Sequence, residues 1–153
     1  MRHTLLAFLF LLTGCTVNEP TLTQPQALSI IDKLIDQTTR TITPPPRLEA
    51  LPSFSAPSGC QSEGTSENQV IVSRAYWLRE IPKDQNMAVS QQIRAFWESQ
   101  GHRIVAVGDS GNPDLSGESQ PEGFKLSLTW AEGDNLYLSA SSTCIWPHGT
   151  PSP

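Results

Sequence analysis

From Ala27 onward the apolar residues recur at the helical period. Ala27, Ile30, Ile31, Leu34 and Ile35 share one side, and Asp32, Lys33, Asp36 and Gln37 take the other. Thr23 and Gln26 stand at capping-box spacing and Pro25 suits a first turn, which predicts where this helix starts. The β-branched Thr38, Thr39, Thr41, Ile42 and Thr43 weaken it, and Pro44, Pro45 and Pro46 end it in a semi-rigid extended connector. Residues 47–68 hold many Pro, Ser and Gly and few periodic apolar positions, so they read as a long loop.

The period changes to two at Val70. Val70, Val72, Tyr76 and Leu78 share one parity and Ile71, Ala75 and Trp77 the other, which predicts a central strand covered on both faces and stopped at Pro82. A second helix follows, with Asp84 or Asn86 as its cap, Val89, Ile93, Phe96, Trp97 and Gln100 along one side, and Gly101 in the left-handed position behind it. Residues 104–107 make a short strand, and residues 109–123 read as a turn-rich loop. Phe124, Leu126, Leu128 and Trp130 then alternate with Lys125, Ser127 and Thr129, a strand with one buried face. Turn chemistry at residues 132–135 leads to a return strand in which Leu136, Leu138 and Ala140 alternate with Tyr137, Ser139 and Ser141.

The order helix, strand, helix, strand, strand, strand predicts an α+β fold. It is a two-layer sandwich with two helices on one face of a four-stranded, mostly antiparallel sheet, and a right-handed parallel crossover at its strand-helix-strand unit. The face away from the helices would present Lys125, Ser127, Thr129, Tyr137, Ser139 and Ser141, with Tyr137 and either Tyr76 or Trp77 as aromatic anchors. Ser127, Thr129, Tyr137 and Ser139 are the candidate binding residues.

The first fifteen residues carry an address. Arg2 and His3 precede an apolar run over residues 5–12, far shorter than the roughly 20 residues that span a bilayer, and Leu12, Thr13 and Gly14 lead to Cys15. This segment resembles the signal peptide of bacterial lipoproteins. The resemblance implies cleavage after Gly14 and a lipid on Cys15, which anchors the chain to the extracytoplasmic side of the cell membrane by two or more acyl chains. The expected organisation is a signal peptide over 1–14, a lipidated N-terminus and tether over 15–24, one globular domain over 25–147, and a disordered proline-rich tail over 148–153.

Beyond Tyr76 the chain is similar to small lipoproteins of actinobacterial envelopes. The residues that carry the likeness are the strand ending near Leu78, the helix closing on Phe96 and Trp97 ahead of Gln100 and Gly101, the hairpin over 123–140, the closing segment 142–147, and Cys60 behind its Pro/Ser-rich loop. No activity comes with it. The signal peptide is short for such proteins, which leaves room for an upstream start.

Removing residues 1–14 of the 153 leaves 139, the size of one domain with a real core, and the loss of Arg2 takes the formal charge from −5 to −6. That balance argues against nucleic acid or an anionic lipid surface as an electrostatic partner. With Cys15 committed to lipid, Cys60 and Cys144 remain in an oxidising compartment, and they are expected to pair; neither has a Cys-x-x-Cys neighbour or a histidine at metal-ligand spacing.

The chemical inventory is thin. His102 follows a helix-capping glycine and His148 lies in the tail, and no nucleophile elbow, His-Glu-x-x-His or phosphate-cradling loop occurs. The run Asp109, Ser110, Gly111, Asn112, Pro113, Asp114 invites a calcium reading, yet glycine and proline occupy alternate ligand positions and no glutamate closes it, so it reads as a plain turn. No metal and no cofactor is assigned. The expected function is a non-enzymatic envelope module that binds a protein or small ligand on its sheet. The alternative is a lipid-anchored hydrolase of an envelope polymer. A buried acidic pair in a cleft would favour the enzyme, and an exposed aromatic patch over the Ser/Thr face would favour the binder.

Overall fold

The computed structural model describes residues 19–61 and 66–151. The expected signal peptide and Cys15 lie outside these residues. Helix α1 (Gln24–Thr39) starts where the capping box places it: the Thr23 hydroxyl accepts from the Gln26 backbone N–H, and the Gln26 side chain accepts from Thr23 N–H at 2.9 Å. Its Ala27, Ile31, Leu34 and Ile35 are buried, so the periodic stripe is the inward one. It ends at Thr39, inside the β-branched run and short of the prolines expected to end it. Thr38 and Thr39 turn their hydroxyls back to the Leu34 and Ile35 carbonyls, at 2.7 and 3.0 Å, which satisfies both groups inside the protein.

Eight strands follow: β1 (Arg47–Ala50), β2 (Ser58–Gly59), β3 (Val70–Ile71), β4 (Ser73–Arg79), β5 (Arg103–Val107), β6 (Leu115–Glu118), β7 (Lys125–Ala131) and β8 (Asn135–Ser141). Six of them form one sheet in the order β1-β4-β8-β7-β6-β5, and every neighbouring pair is antiparallel. The α+β class and the antiparallel character match the sequence pattern; the strand count of four does not. β1 and β6 are the additions. β1 is exposed at all four residues and edges the sheet, so it has no buried parity to mark it. β6 lies inside the stretch 109–123 that reads as a turn-rich loop, and Gly117 within it has no apolar side chain to mark a buried parity. Gly117 sits in the strand beneath the Trp97 indole, where a Cβ would come within 3.1 Å of the ring.

β4 is second from the edge, not central, and the strand expected from Val70 is broken at Val72 into β3 and β4. Its partner across helix α2 (Asn86–Ser99) is β5, which runs in the same direction but with β8, β7 and β6 between them, so the crossover joins no hydrogen-bonded parallel pair. Neither Asp84 nor Asn86 caps α2 through its side chain. Asn86 instead donates to the Asp134 carbonyl at 2.9 Å, which ties the helix start to the β7–β8 turn. Gly101 takes φ 78° behind the helix, the left-handed conformation that glycine adopts without penalty.

Both helices cover one face. Ile31, Leu34, Ile35, Val89, Ile93 and Trp97 pack with Leu78, Leu115, Leu126, Leu128, Leu136 and Leu138 in a single core. Trp130 has the core parity but is 42 % exposed, lining a surface hollow with Asn86 and Met87 at the start of α2. At the other end Cys60 and Cys144 form a disulfide with Cα atoms 6.0 Å apart, beside the Val70–Ile145 backbone pair.

Described residues of the segments expected as tether and tail bond to each other. Thr21 N–H donates to the Gly149 carbonyl at 2.8 Å, Gln24 N–H to that of Pro147 at 3.2 Å, and the Trp146 indole to that of Glu19 at 3.2 Å. Gly149 is buried. Residues 19–23 and 147–149 therefore belong to the domain, because each satisfies the other's backbone.

Candidate binding face

Strand register decides what the helix-free face carries. Thr129 pairs with Tyr137 and Ser127 with Ser139, so the four residues singled out from the alternation form one block on β7 and β8. Across β8, Tyr137 pairs with Trp77 and Ser139 with Ala75. Of the two aromatic anchors considered, Trp77 therefore shares the face, whereas Tyr76 packs against the core beneath the helices. Ser127, Thr129 and Tyr137 are half-buried, but Ser139 is only 8 % exposed. A small side chain on a central strand is shielded by larger neighbours, so Ser139 contributes little surface to a partner.

The Tyr137 ring stands edge-on to Trp77 with centroids 5.5 Å apart, and Phe54 approaches it from the loop at 6.0 Å. Offset and edge-to-face arrangements of this kind suit the ring quadrupoles. The Arg79 guanidinium lies 4.8 Å from the Trp77 ring centre and bonds the Glu49 carboxylate at 3.0 Å. That bond is the main reason the Glu49 carboxyl is held below the usual carboxylate range. Phe54 and Glu49 escaped the sequence reading because they reach the face from the loop after the edge strand and from the edge strand itself, and Arg79 because it closes β4 beyond the alternating apolar positions.

On the other side of the block lies a polar cleft of about 300 Å³, lined by Asp109, Asn112, Asp114, Ser116, Ser127 and Thr129 among others. Asp114 accepts from the Trp130 backbone N–H at 2.6 Å, its N–H donates to the Asn112 side-chain oxygen at 2.8 Å, and the Asn112 amide donates back to its carboxylate at 3.3 Å. Both side chains are locked by the turn. Among the described residues no group of three or more His, Cys, Asp or Glu is placed to hold a metal ion, and no helix is long and apolar enough to cross a membrane.

His102 is not on this face. It lies on the helix side near Lys33, Gln37 and Glu122, and its Nδ1 accepts from the Gln120 backbone N–H at 3.1 Å. Burial pushes its pKa down, with the Glu122 charge pulling the other way. His148 is exposed at the tail.

No family model, curated protein or solved structure matches the chain.

Proposed function

We propose that this protein is a lipid-anchored extracytoplasmic lipoprotein whose domain works by binding through the helix-free face of its sheet. The observation that carries the reading is the half-exposed aromatic cluster of Trp77, Tyr137 and Phe54 beside the Ser127/Thr129 block, on a sheet whose other face alone is occupied by helices. Aromatic and arginine anchors surrounded by small polar groups are the composition that dominates interface energy. The Asp114 carboxylate at the cleft is engaged in holding a turn, and no buried pair of carboxylates stands there among the described residues, so no specific observation favours the hydrolase alternative. The partners are then the membrane through the lipid, and an envelope protein or small ligand on the sheet, with no role for nucleic acid.

Two substitutions test the two halves of this reading. Cys15→Ser is expected to leave an unprocessed or released protein; unchanged mass and unchanged membrane fractionation would contradict anchorage. Tyr137→Ala is expected to keep a cooperative melt, losing no more than about 1–2 kcal/mol of ring contacts, while weakening several-fold its retention on detergent-washed cell envelopes, from which the membrane that holds the lipid has been extracted. Full retention by a folded Tyr137→Ala protein would show that the face is only solvated.

A further inference from the structure

We infer that the ligand class of this face is an uncharged polyhydroxylated chain, a glycan, lying across the strands from Trp77 to the Asp114 turn; the inference rests on the binding-face reading above. The register lays the platform out. Trp77, Tyr137 and Thr129 are cross-strand neighbours on β4, β8 and β7, and the Leu115–Leu128 pair brings Asp114, one residue before β6, next to Thr129. Three inter-strand spacings make this row roughly 14 Å long, the reach of a short oligosaccharide and more than a single sugar ring fills.

The chemistry changes along the row. At one end the half-exposed Trp77 and Tyr137 rings, the first with Arg79 over its face and the second flanked by Phe54, offer their remaining apolar surface to the C–H groups of sugar rings. At the other, the cleft offers the hydroxyls of Ser116, Ser127 and Thr129, which make no hydrogen bond to other protein groups among the described residues, in contrast to Ser73 and Ser141 lower on the sheet, which bond each other at 2.8 Å. A hydroxyl both donates and accepts, so it suits a partner made of hydroxyls. Asp114 adds a carboxylate already fixed by Trp130 N–H and the Asn112 amide, with lone pairs left to accept from a sugar hydroxyl without first being ordered.

Charge selects against the alternatives. Asp109 and Asp114 in the cleft repel an anionic chain, and Arg79, the cation nearest the aromatic end, is already paired with Glu49. Of the two carboxylates Asp114 stands at the end of the row, and both its oxygens are engaged by N–H donors, which weakens its hold on an ammonium group; Asp109 lies off the row in the loop before it.

Calorimetric titration of the full-length protein in detergent tests this with four probes: chitotetraose and maltotetraose as uncharged chains, the fully deacetylated chitosan tetramer as a cation, and a heparin tetrasaccharide as an anion. At least one uncharged tetramer is expected to bind, with both charged chains weaker. The double variant Ser127→Ala/Thr129→Val, which keeps strand-compatible side chains, is expected to bind ~tenfold or more weakly, the loss of one or two hydrogen bonds, and Ser73→Ala to bind as before. Binding by neither uncharged tetramer, preference for a charged chain, or unchanged affinity in the double variant overturns the ligand class. If no saccharide binds but Tyr137→Ala still releases the protein from envelopes, the glycan inference fails and the binding face stands; if both fail, the face itself is wrong.

Discussion

Trp97→Ala is expected to destabilise the domain by about 3–5 kcal/mol, the range for truncating a buried tryptophan. The indole is fully buried, and it joins three elements. Its N–H donates to the Thr38 hydroxyl at 3.0 Å, which itself donates to the Leu34 carbonyl, so α2 is bonded to α1 through a side-chain chain inside the core. Its ring fills the space that Gly117 leaves open on β6. Alanine would leave a cavity between helix and sheet and would remove the donor that Thr38 receives. Trp97→Phe should recover part of the loss, since it restores ring volume without the N–H. An unfolding free energy of Trp97→Ala, from denaturant titration, within about 1 kcal/mol of the parent's would contradict this packing.

Loss of the Cys60–Cys144 bridge is the second large effect. The bridge spans 84 residues of sequence, and in the chain-entropy model a loop of that length contributes roughly 4 to 5 kcal/mol through the denatured state. Measured losses for native bridges run at about 2–5 kcal/mol. Cys60→Ser/Cys144→Ser is therefore expected to lower stability by several kcal/mol, and reductant to do the same to the parent. The bridge secures a lightly paired region: β2 and β3 pair over two residues each, and beside it the chain end is joined to this segment by the Val70–Ile145 pair and by the bonds between Val72 and Ser142. Thiol labelling of both cysteines in the folded, exported protein without reductant would contradict the pairing.

These effects also explain what could be read from the residues alone. α1 and α2 were legible because their stripes are long and one-sided, and the β7–β8 hairpin because strict alternation survives wherever one face is buried. β1 left no trace because a strand exposed on both sides has no parity to reveal, and prolines flank it at Pro46 and Pro52. β6 was hidden by chemistry of the opposite kind: Gly117 carries the signature of a turn, while its reason lies on a different element, the indole of Trp97. The caps of α2 misled for a related cause, since Asn86 spends its amide on the distant Asp134 carbonyl.

The binding face divides in the same way. Alternation put Ser127, Thr129, Tyr137 and Ser139 on one side, and that facing follows from β7 and β8 alone. The aromatic partners depend on register between strands far apart in sequence, Trp77 with Tyr137, and on residues 52–54 folding back so that Phe54 meets the ring. Nothing local announces either contact. The cleft is a third case, because its carboxylate and amide were visible as a turn in the sequence, but only the β6–β7 pairing sets that turn beside Thr129.

The central claim is that the helix-free face meets the ligand while the helix face meets only water. Site-specific photo-crosslinking in intact cells tests it most directly, with the reactive residue placed at Ser127 on the sheet or at Gln91, an exposed position on α2. The account predicts a discrete adduct from position 127, lost in Tyr137→Ala, and none from position 91. Equal adducts from both positions, or an adduct from position 91 alone, would contradict it.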